Sequence, residues 1–291
     1  MGTPKASGAK SWPTRLLFGL LWILGSAALC GGIVYAGLAV TDQLGEYSGS
    51  SVVVDLDSDG DLDVVTVNIR RESELTSFAG ATLWFNQGGK KFTPVNPELG
   101  GIAAAAGDVD RDGDADLFVL PTFEMVLVLN QGGAQGGRTG TFKVNNPIYP
   151  AGLSATYGSI VLGDLNGDGQ VDGFVAGCCG MSYPGPSGQT TYTPPVSFVW
   201  INDWDPRGWL VRHAAVVPEL ENLPVPAAAL GDLNGDGSLD VYAAVQPPKT
   251  GGVSASGEWV LFNDGRGSFR DSGQRLGAGN SSSVALGDLD G

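Results

Sequence analysis

The sequence predicts an all-β protein: a β-propeller of four-stranded blades behind one N-terminal transmembrane helix. Three observations carry that expectation. An acidic nonapeptide recurs four times and begins a fifth copy, starting at residues 55, 108, 164, 232 and 288, which gives periods of 53, 56, 68 and 56 residues. Self-similarity on that scale marks propellers, solenoids or arrays. An apolar, β-branched run follows each complete copy, and one period holds four strand candidates, the strand count of a propeller blade. Ahead of the repeats, residues 16–40 carry no charge and could cross a hydrocarbon core of about 30 Å.

The N-terminal segment fixes the expected orientation. Lys5, Lys10 and Arg15 precede the apolar stretch, while Asp42 and Glu46 follow it. The positive-inside rule then makes 1–15 a cytoplasmic tail, 16–40 a signal anchor, 41–48 a linker and 49–291 extracytoplasmic repeats. A cleavable signal peptide cut after Val34-Tyr-Ala36 is the competing possibility, although its apolar region should span only about 7–15 residues. Both place the repeats outside the cytoplasm.

Within the second repeat the strand candidates are 102–107, 115–120, 125–130 and 140–145. Second strands recur at 64–67, 174–176 and 241–245, and third strands at 83–86, 198–202 and 259–263. Every third strand ends in Asn (Asn86, Asn130, Asn202, Asn263) and enters a polar turn. The second-to-third connections are uneven. Residues 69–80, 177–195 and 246–257 are expected as long loops, whereas the second repeat turns within a few residues near Pro121. Long loops on a rigid scaffold are where binding is concentrated; solvated insertions without a partner are the alternative. Four repeats and the start of a fifth fit an incomplete propeller, cut off at the C-terminus.

The nonapeptides have the chemistry of a calcium loop. Ca²⁺ takes six to eight hard oxygen ligands, and alternate side chains of a short loop can supply most of them. In the first copy Asp55, Asp57, Asp59 and Asp63 are the expected side-chain ligands, with the carbonyl of Asp61 completing the turn. The second copy offers Asp108, Asp110, Asp112 and Asp116 with Asp114. The third offers Asp164, Asn166, Asp168 and Asp172 with Gln170, and the fourth Asp232, Asn234, Asp236 and Asp240 with Ser238. Asp288 and Asp290 open the fifth. Position 7 varies freely, as suits a residue that contributes only its carbonyl. Gly60, Gly113, Gly169 and Gly237 stand where the chain must turn sharply, at φ above zero. An EF-hand would need Glu at position 12 and flanking helices. Position 12 is Thr66, Val119, Val175 and Ala243. One Ca²⁺ per complete loop, four in the chain, is the expected complement.

The charge follows from the same loops. Of 31 acidic residues 18 lie in the five copies, and four Ca²⁺ ions would bring the formal net charge from −15 to −7. Nucleic-acid binding wants a basic face and is not expected.

The loop, its apolar strand and the segment Val260-Leu-Phe-Asn-Asp-Gly-Arg-Gly-Ser-Phe269 together resemble the FG-GAP and VCBS repeat proteins, similar in turn to integrin alpha-type propellers. The resemblance covers residues 49–291. Within those residues literal Phe-Gly and Gly-Ala-Pro signatures are missing, which sets the chain nearer the VCBS variety. The resemblance implies that the metal sits in the hairpin joining the first two strands of each blade. It also implies an adhesive or ligand-binding role, with an extracellular protein or glycan as partner.

No catalytic constellation competes with that expectation. His213 is the only histidine and reads as a structural residue at a strand end. Nucleophile-elbow, His-Glu-x-x-His and phosphate-loop motifs are missing from the sequence. The chain is therefore expected not to be an enzyme. A carbohydrate-binding or carbohydrate-active domain is the alternative, motivated by Trp84, Trp200, Trp204, Trp209, Trp259, Tyr183 and Tyr192. A structural cap on a membrane complex is another. Cys178 and Cys179 are adjacent, so they offer either a vicinal disulfide or two free thiols in a loop.

Overall fold

Each acidic nonapeptide is the turn of a β-hairpin. The computed structural model describes residues 46–72, 75–88, 91–96, 99, 101, 103–120, 125–133, 136–148, 156–179, 181–184, 190–205, 209–247, 257–277, 279 and 281–288. The first sheet comprises β1 (Glu46–Val54), β2 (Asp63–Glu72), β3 (Leu75–Asn86) and β4 (Phe92–Val95). The second comprises β5 (Ala103–Gly107), β6 (Asp116–Leu120), β7 (Met125–Asn130) and β8 (Phe142–Ile148). The next stretch holds β9 (Thr156–Gly163), β10 (Asp172–Cys179), β11 (Met181–Pro184), β12 (Thr190–Thr193), β13 (Phe198–Asp205) and β14 (Trp209–Val216). Here β9, β10, β13 and β14 form the third sheet, while β11 and β12 pair as a separate hairpin. The fourth sheet comprises β15 (Ala227–Gly231), β16 (Asp240–Val245), β17 (Gly257–Asn263) and β18 (Phe269–Leu276). All pairings are antiparallel, and within each four-stranded sheet the strands follow chain order.

The sheets stack because their strands are apolar on both faces. Side chains alternate along a strand. In β6, Leu117 and Val119 enter a core shared with the first sheet, whereas Phe118 and Leu120 enter one shared with the third. A third core joins the third and fourth sheets through Phe174, Val199, Val241 and Leu261. Burying each such side chain contributes about 1.5–3 kcal/mol. Trp200 and Phe118 meet edge to face across the second core, with ring centroids 5.1 Å apart.

The first strands converge. β5 touches both β1 and β9, and β9 touches β15. Small residues permit that approach: Ala103 and Ala105 face one core while Ala104 and Ala106 face the other. Between these strands lies a cavity of about 280 Å³ whose lining includes Ser51, Ala104, Ser159, Ala227 and Val284. Four meandering sheets stacked face to face with their first strands inward make a propeller-like all-β architecture; no ring closes among the described residues.

Several expected loops are strands instead. Residues 69–80 extend the first hairpin, pairing from Asn68↔Gly80 to Glu72↔Leu75, because main-chain pairing continues past a bulge at Asn68/Ile69. The 177–195 connection contains the β11–β12 hairpin, and Cys178 and Cys179 belong to β10 rather than to a loop. His213 sits inside β14 opposite Ile201, not at its end. Residues 16–40, 248–256 and 290 lie outside the described residues, so the expected N-terminal helix does too. Among the described residues no helix is long and apolar enough to cross a membrane.

Candidate metal centre

The closing pair of each hairpin fixes the loop. Position 9 pairs with the last residue of the preceding strand: Val54↔Asp63, Gly107↔Asp116, Gly163↔Asp172 and Gly231↔Asp240. The four position-9 aspartates are fully buried. Each accepts two main-chain bonds, one from position 2 of its own loop and one from the third-strand Asn, which ends β3, β7 and β17 but lies inside β13, where pairing with β14 carries the strand on to Asp205. For Asp63 the donors are the N–H groups of Leu56 at 2.8 Å and Asn86 at 2.7 Å. For Asp116 they are Val109 at 3.0 Å and Asn130 at 2.8 Å, and Asp172 and Asp240 repeat the pattern.

Position 1 gathers the turn. Asp55 accepts from the N–H groups of Asp59 and Gly60, and Asp164 from those of Gly167, Asp168 and Gly169. Asp108 and Asp232 do the same work in their loops. The position-6 glycines have φ of +90° (Gly60), +94° (Gly113), +78° (Gly169) and +89° (Gly237), the left-handed region expected from the sequence. Position 4 is left-handed as well, and there Ser58 (φ +58°) and Arg111 (φ +63°) occupy it without being glycine. Gly167 and Gly235 at that position in the other copies were the available signal.

These bonds bring carboxylates together. One ligand oxygen from each of Asp55, Asp57 and Asp63 lies within 4.8 Å of the other two, and Asp108, Asp110 and Asp116 form the matching cluster. Oxygens that share a Ca²⁺ at about 2.3–2.6 Å are spaced on that scale. Asp57 Oδ1 is buried with no hydrogen-bond donor, so a cation fits the cluster better than solvent does. Asp59, Asp61, Asp112 and Asp114 fall outside the two clusters. The third and fourth loops place Asn at position 3, and Asn166 and Asn234 bridge to Asp168 and Asp236 through their amides. Asp288 is exposed, and its partner Asp290 lies outside the described residues.

Crowding shows in the acidities. Burial pushes Asp116 up to about 8 and Asp172 up to about 6, against the main-chain bonds that hold each down. Asp57 and Asp63 are raised, first by burial and then in part by neighbouring carboxylates. Burial and the adjacent Asp112 push Asp114 up to about 7. Asp168 goes the other way: burial opposes ionisation, but the Asn166 amide and the Gln170 N–H hold it low. The N–H of Ser238, then the Asn234 amide, lower Asp236.

One set of functional residues escapes position counting. In three of the four repeats the third-strand Asn is a clasp to the preceding repeat. Asn130 Nδ2 donates to the carbonyl of Leu56, Asn202 Nδ2 to that of Val109, and Asn263 Nδ2 to that of Leu165, at 2.9, 2.8 and 2.9 Å. Every acceptor is position 2 of the preceding loop. The recurrent Asn was the sequence signal; its acceptor, 74 to 98 residues away, was not.

Residues 55–119 and 232–291 match the family model of the FG-GAP-like repeat. The chain carries FG-GAP-type repeats. In the matched stretches the FG-GAP-type unit is an acidic hairpin turn followed by its apolar second strand; residues 164–172 lie outside them yet form the same bonds. Among solved structures, the chain is similar to an Agrocybe aegerita lectin described for specific recognition of non-reducing terminal N-acetylglucosamine, with 14% identity and a TM-score of 0.31. That alignment covers 78% of this chain and 65% of the lectin chain. No curated protein matches the sequence.

The aromatic residues divide. Trp200 is core, at 1% exposure. Trp84 donates its indole N–H to Thr66 Oγ1 on the sheet surface, and Trp259 lies under the Arg275 guanidinium, 3.5 Å from the ring centroid. Tyr192, on the β11–β12 hairpin, is exposed.

Proposed function

We propose that the chain is a calcium-bound, propeller-type recognition or adhesion scaffold, displayed outside the cytoplasm and tethered to a membrane by residues 16–40. The carboxylate cluster Asp55–Asp57–Asp63, with Asp57 Oδ1 buried and undonated, is the observation that carries it. Hard oxygens alone line the cluster, the donor set that selects Ca²⁺. Bound there, Ca²⁺ would neutralise the buried carboxylates. The corresponding positions of the other complete loops would hold one ion each.

The ions stabilise, and recognition falls to the opposite end of the sheets. There β2 turns into β3, and the β11–β12 hairpin is inserted between β10 and β13. Exposed Tyr192 suits either a protein or a glycan ligand, because aromatic faces pack on both. Melting the intact protein in millimolar Ca²⁺ and then in excess chelator tests the calcium part. A large, reversible rise in Tm with Ca²⁺ is expected, and superimposable melts would remove it. Deleting residues 181–193 should abolish ligand or cell binding while leaving the Ca²⁺-dependent melt intact.

A further inference from the structure

The second repeat differs from the others at position 7. Gln170 and Ser238 are neutral and Asp61 is exposed, whereas Asp114 is only 5% exposed and neither of its carboxylate oxygens meets a hydrogen-bond donor. Its carboxylate is not one of the three that cluster at Asp108, Asp110 and Asp116. The turn between β7 and β8 closes over it. A Cβ placed on Gly132 would stand 2.2 Å from Asp114 Oδ2 and 2.3 Å from Thr139 Oγ1, so both oxygens pack against that glycine and lie near each other. A Cβ on Gly133 would stand 2.3 Å from Asp112 Oδ2. Two adjacent glycines thus let main chain lie against two carboxylates.

A carboxylate sealed from water without a donor is costly unless a proton or a cation neutralises it. We propose that Asp114, Asp112 and the Thr139 hydroxyl hold a second divalent cation in this repeat, beside the one assigned to Asp108, Asp110 and Asp116. The donors are again hard oxygens, which suit Ca²⁺ or Mg²⁺. Asp114 is the specific element: the third and fourth repeats have no acid at position 7, and the first leaves Asp61 in solvent.

The test counts bound metal. The full chain and its Asp114→Asn, Thr139→Val and Asp108→Asn variants are equilibrated with Ca²⁺, and ions per protein are read by native mass spectrometry and elemental analysis. Asp114→Asn should bind one ion fewer than the parent and melt higher than the parent in chelator, because the amide removes a buried charge. Thr139→Val should lower occupancy of that same ion at limiting Ca²⁺. Equal counts in the parent and Asp114→Asn would overturn the second site, and Asp108→Asn separates this failure from the wider one. If Asp108→Asn loses an ion and Asp114→Asn does not, only the second site falls. A parent that binds no Ca²⁺ overturns both this site and the calcium scaffold.

Discussion

Each aspartate in these loops answers to more than one force. Position 9 is buried, accepts two main-chain N–H bonds and lies beside other carboxylates. Burial wins in the metal-free chain, so Asp116 and Asp172 are raised to about 8 and about 6 from 3.8. The sign follows: between the unfolded and folded pKa values the folded state binds more protons, so these groups favour folding below about pH 4 and lose that contribution as pH rises through about 6 and 8. In chelator, Tm should therefore fall from pH 5 to pH 8.5. With saturating Ca²⁺ the ion replaces the proton, and the fall should vanish or reverse. A chelated protein whose Tm climbs over that interval would contradict the burial of these carboxylates. Neighbouring loop residues were readable in advance by type and spacing, whereas for left-handed Ser58 and Arg111 the residue types give no warning and only the glycines at that position in the third and fourth copies do.

Elements are joined by the asparagine clasp. The position-2 side chains Leu56, Val109 and Leu165 each pack into the core shared with the following sheet, while their carbonyls accept from that sheet's Asn. One residue thus secures an interface by both packing and hydrogen bonding. Leu233, the fourth of the series, is 39% exposed among the described residues. Asn130 also accepts from the Gly140 N–H and donates to the Ala115 carbonyl, so Asn130→Ala strands several buried groups. It should cost about 1–3 kcal/mol in chemical denaturation. Asn86→Ala should cost less, because that amide donates to Leu62 at 3.3 Å and accepts from the Gly88 N–H, both in its own repeat. Equal costs would mean that the inter-repeat bond contributes nothing. Strand positions were legible from apolar runs, but the β2–β3 arm was not, since Arg70, Arg71 and Glu72 look like loop residues until pairing satisfies their main chain.

At the scale of the molecule, stability resides between sheets. Phe118 is fully buried against Trp200 across the second and third sheets, whereas Phe92 on β4 is 43% exposed. Phe118→Ala should cost about 3–5 kcal/mol of unfolding free energy. Phe92→Ala should stay within about 0.5 kcal/mol. Denaturant midpoints measured side by side would check the contrast, and comparable losses would place the stabilising core elsewhere than between the sheets. The small side chains of the first strands matter at this scale too, because adjacent sheets meet closest there. Enlarging Ala104 or Ala106 would push the first and second sheets apart.

By itself the sequence determined the hairpin turns, the oxygen-only ligand chemistry and the left-handed glycines, because each depends on residues within about ten positions of one another, and the recurrence of that local pattern marks the period. Only the tertiary structure decided which carboxylates converge, which asparagine clasps which carbonyl, and that Asp114 rather than Asp61 is buried. Those outcomes depend on residues a full repeat apart, or on a turn that folds back over the loop, and no local pattern encodes such distances. The acidic nonapeptides are local devices; the coupling between them is made by the stacked sheets.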